Sequence, residues 1–451
     1  MTVALVYGLG VAGAALGDAL HRRGVQVLAG DDRAAPASAA HAERWATDLV
    51  AAPDEATLRR VVDSVDLVCP APGVPEHHAL IRLAHQMGKP LCSEIELAYS
   101  WEQQRPGGPR PMLGITGTDG KTTTTLMATA MLQSGGLHAV AVGNTEVPLA
   151  AEIDGDADVF VVECSSFRLQ WTGTFRCESS VWLNLADDHQ NWHSSMAAYE
   201  AAKARLWAHN RPTDTAVGFA DDPVVMRNLA RSACRHRTFA ASGADYFVAG
   251  GSLVGPRGPI CDVSSLSRRL PHDLTNALAA AAVCLESGLT SVAAIATALG
   301  EFRHPPHRIE PVAEADGVAW FNDSKATTPH AALTAIRSFE RIVLLAGGRN
   351  KDLDLASLAT EAPRLRAVVA LGEAAPIIEQ AFRGRVPTVR AGSMAEAVDA
   401  ARQMAKPGDT VLMSPACASF DWYPDGGYPA RGDHFKELVL QAVQQVHGVP
   451  E

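Results

Sequence analysis

The segment Met112-Leu-Gly-Ile-Thr-Gly-Thr-Asp-Gly-Lys-Thr-Thr-Thr-Thr125 runs a short apolar stretch into a glycine-bearing turn, a lysine and a threonine-rich helix start. That order constrains the fold around it. A strand that turns directly into a helix aims backbone N–H groups and the positive end of the helix dipole at one anion, so the segment calls for neighbouring parallel strands and a phosphate in front of it. Lys121 can reach the outer phosphates, and a hydroxyl such as that of Thr122 can ligate Mg²⁺. The spacing is a variant: the usual first glycine stands five positions before the glycine of Gly-Lys. Here Ile115 holds that position, with Gly114 and Gly117 on either side.

The same strand-helix rhythm extends in both directions. Before the loop, apolar strands at 3–7, 25–29 and 66–69 alternate with helical stretches at 12–23 and 77–87. A Pro/Gly stretch at 105–111 then reads as a linker. After the loop come strands at 139–142, 159–162 and 181–185. Around His304-Pro-Pro-His307 the chain is interrupted again. A third set follows at 319–322, 341–346, 367–371, 388–391 and 410–413. The expectation is an α/β protein of three domains, 1–105, 106–304 and 305–451, each on a parallel sheet.

Charge and cysteine usage narrow the function. A net charge of −11 without any basic block argues against a nucleic-acid partner. The eight cysteines form no Cys-x-x-Cys pair and read as reduced thiols, with Cys69, Cys92, Cys164, Cys284 and Cys417 in apolar or small-residue surroundings. The chain opens directly into a strand, without a signal peptide's basic head, and no run approaches a membrane span. The expected compartment is the cytoplasm.

Five clusters carry chemistry. Gly8-Leu-Gly-Val-Ala-Gly13, with Asp31-Asp32-Arg33 closing the second strand, fits a dinucleotide fingerprint and leaves NAD, FAD or a nucleotide-sugar diphosphate open. A similar turn, Ala71-Pro-Gly73, follows the third strand. Glu163 ends an apolar strand where a carboxylate can hold Mg²⁺, or else cap a helix. His189, in Asp187-Asp-His189, is a second metal ligand or a polar anchor. Lys203 lies on an expected helix over 196–210, among Ala201, Ala202 and Ala204. It reads as a solvated stem, because an ammonium cannot ligate a cation unless a carbamate supplies an anionic oxygen. His307-Arg308 and Asp323 offer a bidentate fork and a ribose acid, so two units would close over one nucleotide. Ser414-Pro-Ala-Cys-Ala-Ser419, running on through Tyr428 to Arg431-Gly-Asp433, could join Lys351 in clamping a small anion.

With these clusters in hand, the chain resembles the Mur ligases, and more narrowly their D-glutamate-adding branch. Carrying the likeness are Gly117-Thr-Asp-Gly-Lys-Thr122, Glu163, Asp188-His189, Ala201-Ala-Lys203-Ala-Arg205, Thr275-Asn276-Ala-Leu-Ala279 and His307-Arg308. Asp323-Ser-Lys-Ala-Thr327, Ser414–Ser419 and Arg431-Gly-Asp433 carry the narrower part. The resemblance implies a Rossmann-like N-terminal domain, a central P-loop ATPase-like domain and a Rossmann-like C-terminal domain. It implies ATP-dependent addition of D-glutamate to UDP-N-acetylmuramoyl-L-alanine through an acyl phosphate, with two Mg²⁺ sites, in a monomer.

Residue by residue, the resemblance places Val11, Ala12, Asp32, Arg33 and Gly73 at the UDP-sugar. It places Gly117, Thr118, Asp119, Gly120, Lys121, Thr122, Thr123, Asn144, Asn276, Arg308 and Asp323 at ATP, and Thr327, Lys351, Ser419 and Tyr428 at D-glutamate. Thr122, Glu163, His189 and a carbamylated Lys203 would serve the metal, with Lys121, Glu163, His189 and Lys203 as the catalytic set. The chain departs from the branch pattern at Arg168, Ala71 and Asp273, and by two extra residues before Arg431. Rival readings are a Mur ligase for another amino acid and an NAD-dependent oxidoreductase built on Gly8–Gly13.

Overall fold

A computed structural model describes residues 2–33 and 35–447. They fall into two compact units, Met1–Phe302 and Arg303–Glu451. The first unit carries two parallel sheets and a small antiparallel one.

The N-terminal sheet has strands β1 (Val3–Tyr7), β2 (Gln26–Asp31), β3 (Leu49–Ala51) and β4 (Leu67–Pro70), in the order β3-β2-β1-β4, all parallel. β1 is buried along nearly its whole length, as a central parallel strand covered on both faces must be. The helix Val11–Arg22 follows directly, and its glycine spacing has a steric reason: a Cβ on Gly13 would come within 2.0 Å of the Gly8 carbonyl oxygen. Val11, Asp32, Arg33 and Gly73 therefore sit together beyond the carboxyl ends of β1, β2 and β4, and all four are exposed. Ala12 is buried at the start of the helix.

The second sheet has β5 (Met112–Thr116), β6 (Ala139–Gly143), β7 (Val159–Glu163), β8 (Ser179–Trp182), β9 (Thr215–Phe219) and β10 (Arg235–Phe239), in the order β10-β9-β8-β5-β7-β6. All pairs are parallel. β5 and β7 are buried throughout. This order sets the phosphate loop after β5 between the loops that leave β7 and β8. The helix Lys121–Ser134 packs against the alanine-rich helix Pro271–Ser287. A meander of β11 (Phe247–Ala249), β12 (Ser252–Gly255) and β13 (Gly258–Asp262) makes the antiparallel sheet, which periodicity alone did not reveal.

The Pro/Gly stretch 105–111 is no loose linker. Arg110 is 8% exposed and holds Glu102 with two nitrogens, at 2.9 and 2.7 Å, while donating to the carbonyls of Ile153, Gly155 and Ala157. A paired guanidinium bonded to three further carbonyls fixes the junction of the two sheets, and the 105/106 boundary lies inside one compact unit.

The second unit is built on β14 (Glu310–Ala315), β15 (Val318–Asn322), β16 (Ile342–Gly347), β17 (Leu365–Leu371), β18 (Thr388–Arg390) and β19 (Thr410–Ala416). Their order is β14-β15-β19-β16-β17-β18, with β14 antiparallel and the rest parallel. The chain is thus α/β throughout, with Rossmann-like sheets at both ends and a P-loop ATPase-like sheet between them in sequence. All eight cysteines are free thiols; Cys69, Cys164, Cys284 and Cys417 are buried as expected, and Cys92 is only partly so. No helix among the described residues is long and apolar enough to cross a membrane.

Candidate active site

Gly120 stands at φ +81°, just before the first turn of the helix Lys121–Ser134, and a Cβ there would meet the Asn276 side-chain oxygen at 2.6 Å. That combination requires glycine. The first intrahelical bond runs from the Thr124 N–H to the Gly120 carbonyl, so the amides of Lys121, Thr122 and Thr123 are the helix-start donors. The amides of Thr118 and Asp119 point elsewhere: both donate to the Asn184 side-chain oxygen at 2.9 Å. Asn184 leaves the end of β8, and it holds the loop's shape. Sequence reasoning gave this residue no role; the signal was an amide at the end of a strand beside a phosphate loop.

Lys121 Nζ donates to the Gly117 and Thr118 carbonyls at 2.9 and 2.7 Å, and Lys203 Nζ donates to the same Gly117 carbonyl at 2.6 Å. Lys203 is 1% exposed and lies 4.6 Å from the Tyr199 ring centre. The solvated-stem expectation is therefore corrected: the helix Met196–Ala208 turns this lysine inward, against the phosphate loop. Burial, with the Lys121 ammonium beside it, holds the Lys203 amine well below the ordinary lysine value.

Glu163 ends β7 at 1% exposure. One carboxylate oxygen accepts from Asn144 Nδ2 at 2.9 Å, and the other is buried with no hydrogen-bond partner. A buried carboxylate oxygen without a donor is costly, and a bound cation is one arrangement that removes the cost. Thr122 is half-buried and Thr123 buried on the helix's first turn. Among the described residues there is no cluster of three or more His, Cys, Asp or Glu able to hold a metal. An ion here would share few protein ligands with phosphate oxygens and water, which is the habit of Mg²⁺.

His189 takes φ +56° in the loop after β8, with Nε2 at 3.2 Å from Asp188 and its ring edge-on to Phe167 at 4.6 Å. The expected strand over 181–185 stops at Trp182, because the chain turns there to present Asn184 to the phosphate loop. Further along, the buried His193 joins Glu76 and Ser166.

At the N-terminal sheet the pair Asp31-Asp32 divides its work. Asp31 accepts from the Leu9 and Arg33 amides at 2.7 and 3.0 Å and shapes the glycine turn. Asp32 Oδ1 accepts from Tyr7 Oη at 2.6 Å and meets His78 Nε2 at 3.2 Å. His78 Nδ1 accepts the Leu80 amide, so the ring proton sits on Nε2 and is donated to Asp32.

The second unit has its own constellation. Arg308 is flanked by His307 at φ +62° and Ile309 at φ +48°. Asp323 bonds the Ile309 amide at 3.1 Å and Ser414 Oγ at 2.7 Å, which ties the turn to β19. Thr327, Ser419 and Lys351 follow β15, β19 and β16, three neighbours in the sheet, at their carboxyl ends. Lys351 is exposed, Thr327 half-buried and Ser419 buried. The Tyr428 carbonyl accepts Ser324 Oγ at 2.8 Å, which brings that segment to the same edge. Arg431, 3% exposed, donates to Ser324 and to the Cys417 carbonyl and braces both loops; the sequence placed it in a segment able to clamp a small anion, and did not mark it as a brace.

Two of the departures have local partners. Arg168 pairs with the buried Glu94, whose other oxygen takes the Ala150 amide at 2.6 Å. Asp273 holds Arg268 through two bonds of 2.7 Å and caps its helix at the Leu270 amide.

Comparison with known proteins agrees with this geometry. The pattern of the Mur ligase middle domain matches residues 115–284, and that of the Mur ligase glutamate ligase domain matches residues 307–417. A UDP-N-acetylmuramoylalanine–D-glutamate ligase of Pelotomaculum thermopropionicum is 38% identical over 97% of each chain. A ligase of the same name from Frankia casuarinae is 40% identical over 96% of this chain and 93% of its own. Among solved structures, a pseudomurein peptide ligase type C from Methanothermus fervidus superposes with a TM-score of 0.62 at 16% identity, over 98% of this chain and 100% of its own. A Thermotoga maritima Mur ligase in complex with ADP gives 0.59 at 17% identity, over 85% of this chain and 97% of its own. At these identities the structures speak to fold alone, while the two sequence relatives run nearly end to end with the chain, which belongs to the Mur ligase family.

Proposed function

We propose that the protein is the ATP-dependent ligase that joins D-glutamate to UDP-N-acetylmuramoyl-L-alanine in peptidoglycan synthesis. The observation that carries the reading is Glu163: a buried carboxylate with one unpartnered oxygen, next to a phosphate loop, in a chain whose near full-length relatives bear that activity in their names. The reading brings with it three domains at 1–105, 106–304 and 305–451, a monomeric state and a cytoplasmic setting.

In the reaction, an oxygen of the L-alanyl carboxylate attacks the γ-phosphorus of ATP and ADP leaves. The D-glutamate amine then attacks the acyl carbon, and phosphate departs with the former carboxylate oxygen. Lys121 and the helix-start amides offset charge on the transferring phosphoryl group. Thr122 and Glu163 would hold one Mg²⁺, and His189 with a carbamylated Lys203 a second. When bound, Mg²⁺ supplies charge neutralisation on the phosphates. As a free amine Lys203 cannot be a ligand; its lowered pKa favours the neutral amine that carbon dioxide needs for carbamate formation. Asn144 and Asn276 complete the ATP set in the first unit, and Arg308 and Asp323 in the second. Val11, Ala12, Asp32, Arg33 and Gly73 take the UDP-sugar, and Thr327, Lys351, Ser419 and Tyr428 take D-glutamate.

The test is purified protein with ATP, Mg²⁺, the UDP-sugar and a panel of amino acids, read by phosphate release and product mass. D-glutamate is expected to give product and L-glutamate little, since a clamp on both carboxylates misaligns the wrong enantiomer's amine. Phosphate release that no amino acid stimulates would overturn the reading.

A further inference from the structure

Glu76, His193 and Ser166 come from the segments that follow three different strands of the first unit and meet in one hydrogen-bonded chain, with His193 and Ser166 buried and Glu76 half-buried. Glu76 follows the Ala71-Pro-Gly73 turn after β4. Ser166 lies three residues past Glu163, after β7. His193 lies four residues past His189, after β8. His193 Nδ1 is 2.9 Å from Glu76 Oε1, and His193 Nε2 is 2.9 Å from Ser166 Oγ. The His193 side chain is 0% exposed and Ser166 is 1% exposed.

The direction of each bond is fixed by its partners. Glu76 is acceptor-only as a carboxylate, and its other oxygen takes the Ser194 amide at 3.0 Å. The proton of the neutral ring therefore sits on Nδ1, and Nε2 accepts from the Ser166 hydroxyl. Two more bonds close the same junction: Trp192 Nε1 donates to the Pro72 carbonyl at 2.9 Å, and the Glu76 amide to the Trp192 carbonyl at 3.2 Å. Aromatic rings hold the imidazole in place, with Trp192 at 4.5 Å, Tyr199 at 5.2 Å and Phe167 at 5.8 Å.

A largely buried polar chain of this kind adds little stability, since well-packed apolar side chains of the same volume do as well or better. What it supplies is a fixed geometry among three loops. One carries the glycine turn assigned to the UDP-sugar, one carries Glu163, and one carries His189 and leads into the helix with Lys203.

We propose that His193 is a positioning residue of the ligase reaction, which sets the UDP-sugar turn against the Glu163 and His189 loops through its bonds to Glu76 and Ser166. The inference rests on the function proposed above. The acyl oxygen and the γ-phosphorus must meet at bonding distance, and a misplacement of about 1 Å can cost about 100-fold in rate.

The experiment compares steady-state constants of wild type, Ser166→Ala, His193→Asn and His193→Ala, with thermal midpoints recorded alongside. Ser166→Ala removes one bond and little volume; it is expected to lower kcat roughly 10-fold with its midpoint close to wild type. His193→Asn places an amide donor near the Nδ1 position, keeping the Glu76 bond and losing Ser166. It is expected to match Ser166→Ala in kcat and to keep the wild-type KM for the UDP-sugar, whereas His193→Ala raises that KM as well. The KM for ATP is expected to move least in all three. Variants within twofold of wild type in both constants, or variants whose losses follow their thermal midpoints and spread equally over all substrates, would overturn the inference and leave the function standing. A wild-type protein without D-glutamate-dependent phosphate release would overturn the function, and the inference with it.

Discussion

Glu163 shows how much one atom can say about a site. Its first oxygen is satisfied by Asn144, and its second is sealed from water without a donor. Replacing it by Gln keeps the shape and the Asn144 contact but removes the negative charge. Glu163→Gln is expected to lower kcat by roughly 100-fold or more while the protein stays folded, checked by phosphate release and circular dichroism. Activity near wild type would mean that the unpartnered oxygen has no part in holding a cation. Tyr7 makes a smaller case. Its hydroxyl and His78 both bond Asp32 Oδ1, and neither bond uses Oδ2. Tyr7→Phe removes one of the two bonds, worth about 1 kcal/mol, so the KM for the UDP-sugar is expected to rise roughly fivefold with the KM for ATP unchanged. Equal changes in both would point to a disturbed core around β1, since Tyr7 is 1% exposed.

At the level of elements, sheet order does most of the assembly. β8, β5 and β7 are neighbours, so the loops after them converge, and Asn184, the phosphate loop and Glu163 meet. Asn184→Ala would strand the Asp119 amide and leave the Thr118 amide only its bond to the residue-184 carbonyl at 3.1 Å; it is expected to cost about 1–3 kcal/mol in denaturant unfolding and to raise the KM for ATP. An unchanged KM would show that the loop keeps its shape alone. The strands β5 and β7 were legible because both are short apolar runs ending at a glycine turn or an acid. The inward turn of Lys203 was not legible, because its alanine neighbours on the helix Met196–Ala208 look the same whether the stripe faces water or the phosphate loop. The meander β11–β13 was missed for a different reason. Its strands are three to five residues long, too short for a periodic signal, and are marked by the turns Gly250-Gly251 and Gly255-Pro-Arg-Gly258. The run 105–111 has a linker's composition, yet the buried pairing of Arg110 with Glu102 makes it a fixed joint. The partner of a buried arginine is a tertiary fact that composition does not carry.

For the molecule as a whole, two buried histidines and one half-buried histidine set an acid limit on stability. Burial holds His193 and His272 in the first unit, and His307 in the second, below the ordinary histidine value, despite the carboxylates that oppose the shift. Glu76, Lys203, Tyr199, Trp192 and Phe167 surround His193. Because the folded-state values are depressed, the unfolded chain binds these protons first. Stability is then fully present above about pH 6.5 and is lost as pH falls below it, by at most about 1.4 kcal/mol per pH unit for each histidine. Glu76 adds to the same limb lower down. Burial raises its pKa, but the Ser194 amide and His193 outweigh that and leave it below the ordinary glutamate value. Urea unfolding from pH 7 to pH 4 is expected to show this slope, and His193→Asn is expected to flatten part of it. A profile level across that range would contradict the burial argument. The central claim, ligation through an acyl phosphate, is tested most directly by following one atom. UDP-N-acetylmuramoyl-L-alanine is prepared with heavy oxygen in its alanyl carboxylate and incubated with the protein, ATP, Mg²⁺ and D-glutamate, and the released phosphate is weighed by mass spectrometry. One heavy oxygen per phosphate, released only when D-glutamate is present, is the predicted result. Phosphate carrying no label, or labelled phosphate released equally with and without an amino acid, would contradict it.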